Sequence, residues 1–241
     1  CAPGGPDATI VALNKHTGKT LWTSKGLSDG AAYSSCMKTT IDGVAQIVYL
    51  SDKALVAVSA VNGQPLWRYT RPSNKTANCP SAVIDGRRVF AASGYGTGGG
   101  AVDVTITRNP VSIKAEQAWD TKNMVTHHGG YVLVDGYLYG NHNKGYSCLD
   151  FKTGKVMFNS QGVGKGSIVY ADGMLYMMSE RGGTVALAEA TPEGYKEKGR
   201  FRIPQKDKGW SWAHISIANG RMYVRHGDNI FVYDIRQSQD T

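Results

Sequence analysis

Apolar and polar residues alternate along most of this chain, and short turn signals break the alternation at regular intervals. The clearest stretch is 127–158, HHGGYVLVDGYLYGNHNKGYSCLDFKTGKVMF. A strand of alternating pattern runs into Asp135-Gly136, and a second, Tyr137-Leu138-Tyr139, follows it. A third, Ser147 to Phe151, ends at Thr153-Gly154-Lys155, and Val156-Met157-Phe158 closes the unit. Asp-Gly and Thr-Gly tolerate the positive φ of tight hairpins, so the pattern predicts a four-stranded antiparallel meander.

The rest of the chain repeats this unit. Thr17-Gly18-Lys19-Thr20-Leu21-Trp22 returns as Asn62-Gly63-Gln64-Pro65-Leu66-Trp67, and Trp119, Phe158 and Phe201 continue the series of closing aromatics. Asp42-Gly43, Asp85-Gly86, Asp135-Gly136, Asp172-Gly173 and Asn219-Gly220 form a second ruler, and Phe90, Tyr139, Tyr176 and Tyr223 follow four of them. Four strands in a period of about 40–45 residues is the signature of propeller blades. A blade cannot bury both faces alone, so neighbours stack around an axis. The expected fold is therefore an all-β propeller, one domain or the C-terminal portion of one. Its blades are expected near 31–67, 77–119, 127–158 and 164–201, with partial units at 9–22 and 211–236. The partial units either pair to close a ring or belong to a longer parent. The second is favoured, because the chain opens in mid-blade. It begins on Cys1-Ala2-Pro3 with neither a leader nor a starting Met, so either a leader was removed or the chain is part of a longer protein.

Composition narrows the classes. Hydrophobic residues make up 41% of the 241, enough for a core, yet no run approaches the length of a membrane-spanning helix. The net charge of +8 is scattered over turns, with no basic run longer than Arg87-Arg88, so it reads as a solvated surface and no nucleic-acid partner is expected. Binding of an anionic polymer by that surface is a third reading, which salt sensitivity would expose. Cys1, Cys36, Cys79 and Cys148 lack the spacing of a zinc site. Cys36 and Cys79 occupy the same place on neighbouring units and are either bridged or, preferably, two buried thiols. The glycine-rich run 92–101 lacks the context of a phosphate loop and reads as a flexible connection. Residues 202–212 form a polar excursion of the kind that carries function on a rigid scaffold.

The units Val11 to Trp22 and Cys148 to Lys155 resemble the PQQ-like β-propeller repeat, and the resemblance covers nearly the whole chain. His127-His128-Gly129-Gly130 and 164–201 are similar to the C-terminal part of bacterial secreted propellers of this repeat, which implies a parent of about eight blades. The repeat occurs in quinoprotein dehydrogenases, which hold pyrroloquinoline quinone and calcium, and in the propeller lipoprotein of the outer-membrane barrel assembly machinery. The dehydrogenase class places its quinone on a vicinal Cys-Cys disulfide, and no two cysteines are adjacent here.

Counting seven residues back from each Asp-Gly or Asn-Gly gives Ser35, Asn78, His128, Lys165 and Trp212, with Tyr33, His127 and His214 beside them. These are the expected ligand residues at the channel mouth. Neighbouring strand residues face opposite sides, so His127 and His128 are not expected to share a metal. No metal site is expected, and His128 is the one candidate ligand. Trp22, Trp67 and Trp119 are expected to dock one blade on the next. Trp210 and Trp212 break that spacing and flank a polar loop, which makes them candidates for touching a ligand or partner. Glu180-Arg181 and Asp150 read as hairpin residues. The expected function is a non-catalytic periplasmic or extracellular scaffold that binds a partner protein or small ligand at its rim, with no cofactor and no transmembrane segment. A quinone- or metal-dependent oxidoreductase using pyrroloquinoline quinone with calcium is the alternative.

Overall fold

The structure is a computed structural model that describes residues 1–204 and 209–236. Part of the polar excursion, 205–208, thus lies outside the described residues. The chain divides into two compact units, Cys1–His127 and His128–Thr241. In the first, β1 (Val11–Leu13) pairs with β2 (Thr20–Thr23). A four-stranded sheet follows, of β3 (Met37–Ile41), β4 (Val44–Leu50), β5 (Leu55–Ser59) and β6 (Pro65–Tyr69). The next comprises β7 (Val83–Asp85), β8 (Arg88–Ser93), β9 (Gly98–Arg108) and β10 (Val111–Thr121). The second unit contains β11 (Tyr131–Val134), β12 (Tyr137–His142), β13 (Gly145–Asp150) and β14 (Val156–Ser160) in one sheet. Its second sheet is β15 (Gly166–Ala171), β16 (Met174–Ser179), β17 (Thr184–Glu189) and β18 (Glu197–Arg202), and its third is β19 (Ser216–Ala218), β20 (Arg221–His226) and β21 (Asn229–Asp234). Every pairing is antiparallel between consecutive strands, and the described residues contain no helix.

Turn chemistry sets the register. Asp42, Asp135, Asp172 and Asn219 all adopt positive φ, as do the glycines after them, so each pair is the two-residue loop of a hairpin. Asp85-Gly86 departs from this pattern. Asp85 pairs with Arg88, so the loop is Gly86-Arg87, one residue later. In a ladder of period two, such an offset reverses which side each residue faces.

A bulge recurs between the third and fourth strands. It lies after Ala12, Ala57, Cys148 and Leu187 on the third strands, and between Gln117 and Trp119 on β10. Trp22, Trp67, Trp119 and Phe158 are the first paired residues beyond it, while the corresponding position on β18 is Gly199. Phe201 therefore does not continue the series of closing aromatics. It sits two places further on and packs against Tyr233, with ring centroids 4.7 Å apart.

The run 92–101 is not a flexible connection. Residues 94–97 make a turn, and Gly98 opens β9. A Cβ on Gly99 would lie 2.5 Å from the Phe90 ring, and one on Gly100 would lie 2.3 Å from the Tyr69 hydroxyl. The glycines let a strand pass directly beneath two aromatic rings.

Cores form between neighbouring sheets. Val48, Leu50 and Leu55 meet Val89, Val102 and Trp67 in the first unit, and Tyr139, Tyr146 and Cys148 meet Ile168, Leu175 and Met177 in the second. Each large apolar side chain buried this way contributes about 1.5–3 kcal/mol. Trp22 reaches across sheets, its indole N–H donating to the Ala60 carbonyl at 3.1 Å. Trp119 stacks on Phe90 of its own sheet at 5.2 Å, so docking between sheets does not describe all its contacts.

Candidate functional site

In the first unit, Asn78 is buried and bonded to backbone. Its Oδ1 accepts the Asn74 N–H at 2.8 Å, and its Nδ2 donates to the carbonyls of Ser51 at 2.9 Å and Asn74 at 3.0 Å. The Asn78 carbonyl also accepts the N–H of the exposed Tyr33. Ser35 is exposed, and its N–H donates to the Ser81 hydroxyl at 2.8 Å. The cleft beside Tyr33 and Asn78 measures about 40 Å³, far below the roughly 300 Å³ at which ligand pockets begin. His127 meets Tyr95 edge to face, with Nε2 3.3 Å from the phenol oxygen. The two histidines lie in a bend ahead of β11 rather than in a strand, so strand alternation does not govern their directions.

In the second unit, side chains from three successive sheet starts converge on one carboxylate. Glu180 follows β16, and its side chain is 8% exposed. Its Oε1 accepts hydrogen bonds from Lys165 Nζ at 2.8 Å, Trp212 Nε1 at 3.0 Å and His128 Nε2 at 3.1 Å. Its own N–H donates to the Lys165 carbonyl, and its carbonyl accepts the Ser211 N–H. Burial pushes the Glu180 carboxyl up, but the hydrogen bonds from Lys165 and Trp212 and the charges of Lys165 and His128 outweigh it and hold the group below the usual range. Gly129 and Gly166 permit the approach. A Cβ on Gly129 would lie 1.8 Å from the Gly166 carbonyl oxygen, and one on Gly166 would lie 1.9 Å from that of Met178.

The carboxylate anchors an exposed aromatic surface. Ser211 points inward, buried, with its hydroxyl 2.7 Å from Nδ1 of the buried His226. Trp210 and Trp212 on either side of Ser211 are exposed, at 46% and 54%. Their ring centroids are 5.9 Å apart, and Trp212 is also 5.9 Å from the His128 ring. The Arg181 guanidinium lies over Trp210 at 3.8 Å from the ring centroid. His214, exposed, donates Nε2–H to the His128 carbonyl at 2.8 Å.

Four of the residues singled out in the sequence, His128, Lys165, Trp212 and His214, are thus brought together, while Tyr33, Ser35 and Asn78 make separate contacts in the first unit and His127 meets Tyr95. Glu180 and Arg181 correct the reading as plain hairpin residues. Glu180 is the centre of the cluster, and its place directly after a strand of buried residues, Met177 to Ser179, was the available signal. Asp150 is a hairpin residue, accepting from the N–H and hydroxyl of Thr153.

The cluster does not fit pyrroloquinoline quinone with calcium. Calcium takes about six to eight oxygen ligands, whereas the Glu180 Oε1 already accepts from three donors and its companions offer nitrogens and indoles. None of the four cysteines is in a disulfide, so Cys36 and Cys79 are not bridged. A further groove of about 500 Å³ lies along β2 and the 62–65 hairpin, lined by Leu21, Trp22, Lys25 and Pro65.

No curated protein matches the chain in sequence. Among solved structures, it is similar to the computationally designed Ika8 protein, with a TM-score of 0.63 at 12% identity over 96% of this chain and 67% of that one. The β-propeller domain of Myceliophteria thermophila Cps50 (Swd1) gives 0.62 at 11% identity over 95% and 78%. The dihydro-heme d1 dehydrogenase NirN gives 0.56 at 10% over 96% of this chain, which spans 51% of that one. At these identities the likeness concerns the fold, an all-β propeller built of four-stranded blades. The family described as outer membrane protein assembly factor BamB matches residues 4–160, and the chain belongs to that family of PQQ-like repeat propellers.

Proposed function

We propose that this chain is a non-catalytic propeller that works in the periplasm or outside the cell and binds a partner protein through the Trp210–Trp212 surface. The observation that carries the reading is the use made of Glu180. Its Oε1 serves three donors at once, and its pKa is held down rather than raised toward neutrality. A general base for alcohol oxidation needs the opposite tuning. The carboxylate instead fixes the indole of Trp212 while leaving its ring open to solvent. Trp and Arg are the side chains that most often dominate protein interfaces. The family supports the reading through its description as an assembly factor, and no helix among the described residues is long and apolar enough to cross a membrane.

The test is selection of a displayed random-peptide library on the immobilised chain, with Trp212→Ala as the counter-target. Enriched peptides are expected to bind the parent at least about tenfold tighter than the variant. Failure to enrich any peptide, or enrichment indifferent to Trp212, would overturn the reading.

A further inference from the structure

Resting on that binding reading, we propose that the surface takes an acidic peptide segment, in which Asp or Glu residues flank an aromatic or aliphatic anchor. The starting point is Arg181. Arg68, Arg71, Arg87, Arg88, Arg200 and Arg236 each pair with a carboxylate of the chain. Arg181 is exposed and stacked on Trp210, and among the described residues its guanidinium has no carboxylate partner. A guanidinium that lies over a ring keeps the fork of N–H donors that can receive a carboxylate through two parallel hydrogen bonds.

The surrounding charge favours the same ligand. Lys165 is partly exposed at the same cluster, while the carboxylate it meets, Glu180, is buried and already bonded to three donors. The cluster therefore turns cations outward and keeps its anion inside. A cationic ligand, the other natural guest of exposed indoles, would meet Arg181 and Lys165. Trp210 and Trp212 supply the apolar half of the site, two tilted rings that are each about half exposed. Open rings beside a charged fork suit an extended chain laid across a surface, with one apolar residue on the indoles and acids on either side.

The experiment titrates the intact chain with a synthetic peptide of Asp and Glu around a central Phe, followed by calorimetry. Two controls carry Ser for the Phe or Lys for the acids. The acidic Phe peptide is expected to bind at least about tenfold tighter than either control and to weaken with added salt. Arg181→Gln, an exposed substitution outside the Glu180 hydrogen bonds, is expected to lose about tenfold, with Arg181→Lys recovering little of it. Equal binding of the Lys peptide, binding unchanged in Arg181→Gln, or no binding at all would overturn the proposal. So would displacement of the peptide by a uronic-acid oligosaccharide of equal affinity. In the library selection above, Trp212-dependent peptides without enrichment in Asp and Glu would overturn this inference alone. An empty selection would remove the binding reading as well.

Discussion

Asn78 and Glu180 are both buried polar groups at the edges of β-sheets, and they are employed in opposite ways. Asn78 satisfies itself on backbone: one N–H and two carbonyls close around it, and the nearby cleft is too small for a ligand. Glu180 is satisfied by side chains from three different stretches, one of which carries an indole to the surface. The first arrangement holds a loop to its sheet. The second holds a surface in a fixed form. Burial and complete hydrogen bonding therefore do not distinguish a structural polar group from one that organises a site; the distinguishing feature is what the partners present on their other side.

The largest expected effect is that of Gly129→Ala. Its methyl would enter the Gly166 carbonyl oxygen, so the backbones that carry His128 and Lys165 must separate. A loss of about 3 kcal/mol or more is expected in chemical denaturation, together with loss of peptide binding. Wild-type stability would show that the close approach is not required.

Next comes Glu180→Ala, which strips the shared acceptor from three donors. A loss of about 2–3 kcal/mol is expected, along with binding. The same carboxylate gives a pH dependence. Its folded pKa is depressed, so its stabilisation is fully present above the unfolded value of about 4.3 and is lost as pH falls through the lower folded value. Parent stability should thus fall more steeply below about pH 4 than that of Glu180→Gln; parallel curves would deny the carboxylate this role.

Asn78→Ala removes three hydrogen bonds to backbone and should cost about 2 kcal/mol. It should leave affinity for the acidic peptide unchanged, and a loss of affinity would erase the contrast. Smallest in stability is Trp210→Ala. Its ring is half exposed, so the change should stay within about 0.5 kcal/mol, while peptide affinity falls about tenfold. An unfolding midpoint lowered as much as in Glu180→Ala would mark Trp210 as structural instead.

Much of the architecture could be read from the chain because hairpin chemistry is local. Asp135-Gly136 or Asn219-Gly220 needs no distant partner to select its turn. The misreadings arose where a residue type stood in for a register. Asp85-Gly86 looks like its counterparts but turns one residue later, and Phe201 looks like Trp67 but lies two places beyond the bulge position. Residues 98–100 look like a loop because their glycines are demanded by rings from other strands, Phe90 and Tyr69. The site divides along the same line. His128, Lys165 and Trp212 share one repeat position and could be found by counting. Glu180 has no such mark, since its partners lie 52, 15 and 32 residues away in sequence.

The most direct test is hydrogen exchange of the Trp212 indole N–H, followed by NMR at neutral pH in the parent and in Glu180→Ala. Slow exchange in the parent and fast exchange in the variant is the predicted result, the mark of an indole fixed from below by the buried carboxylate. Fast exchange in both would mean that the ring is not held, and the account of a preordered binding surface would fail.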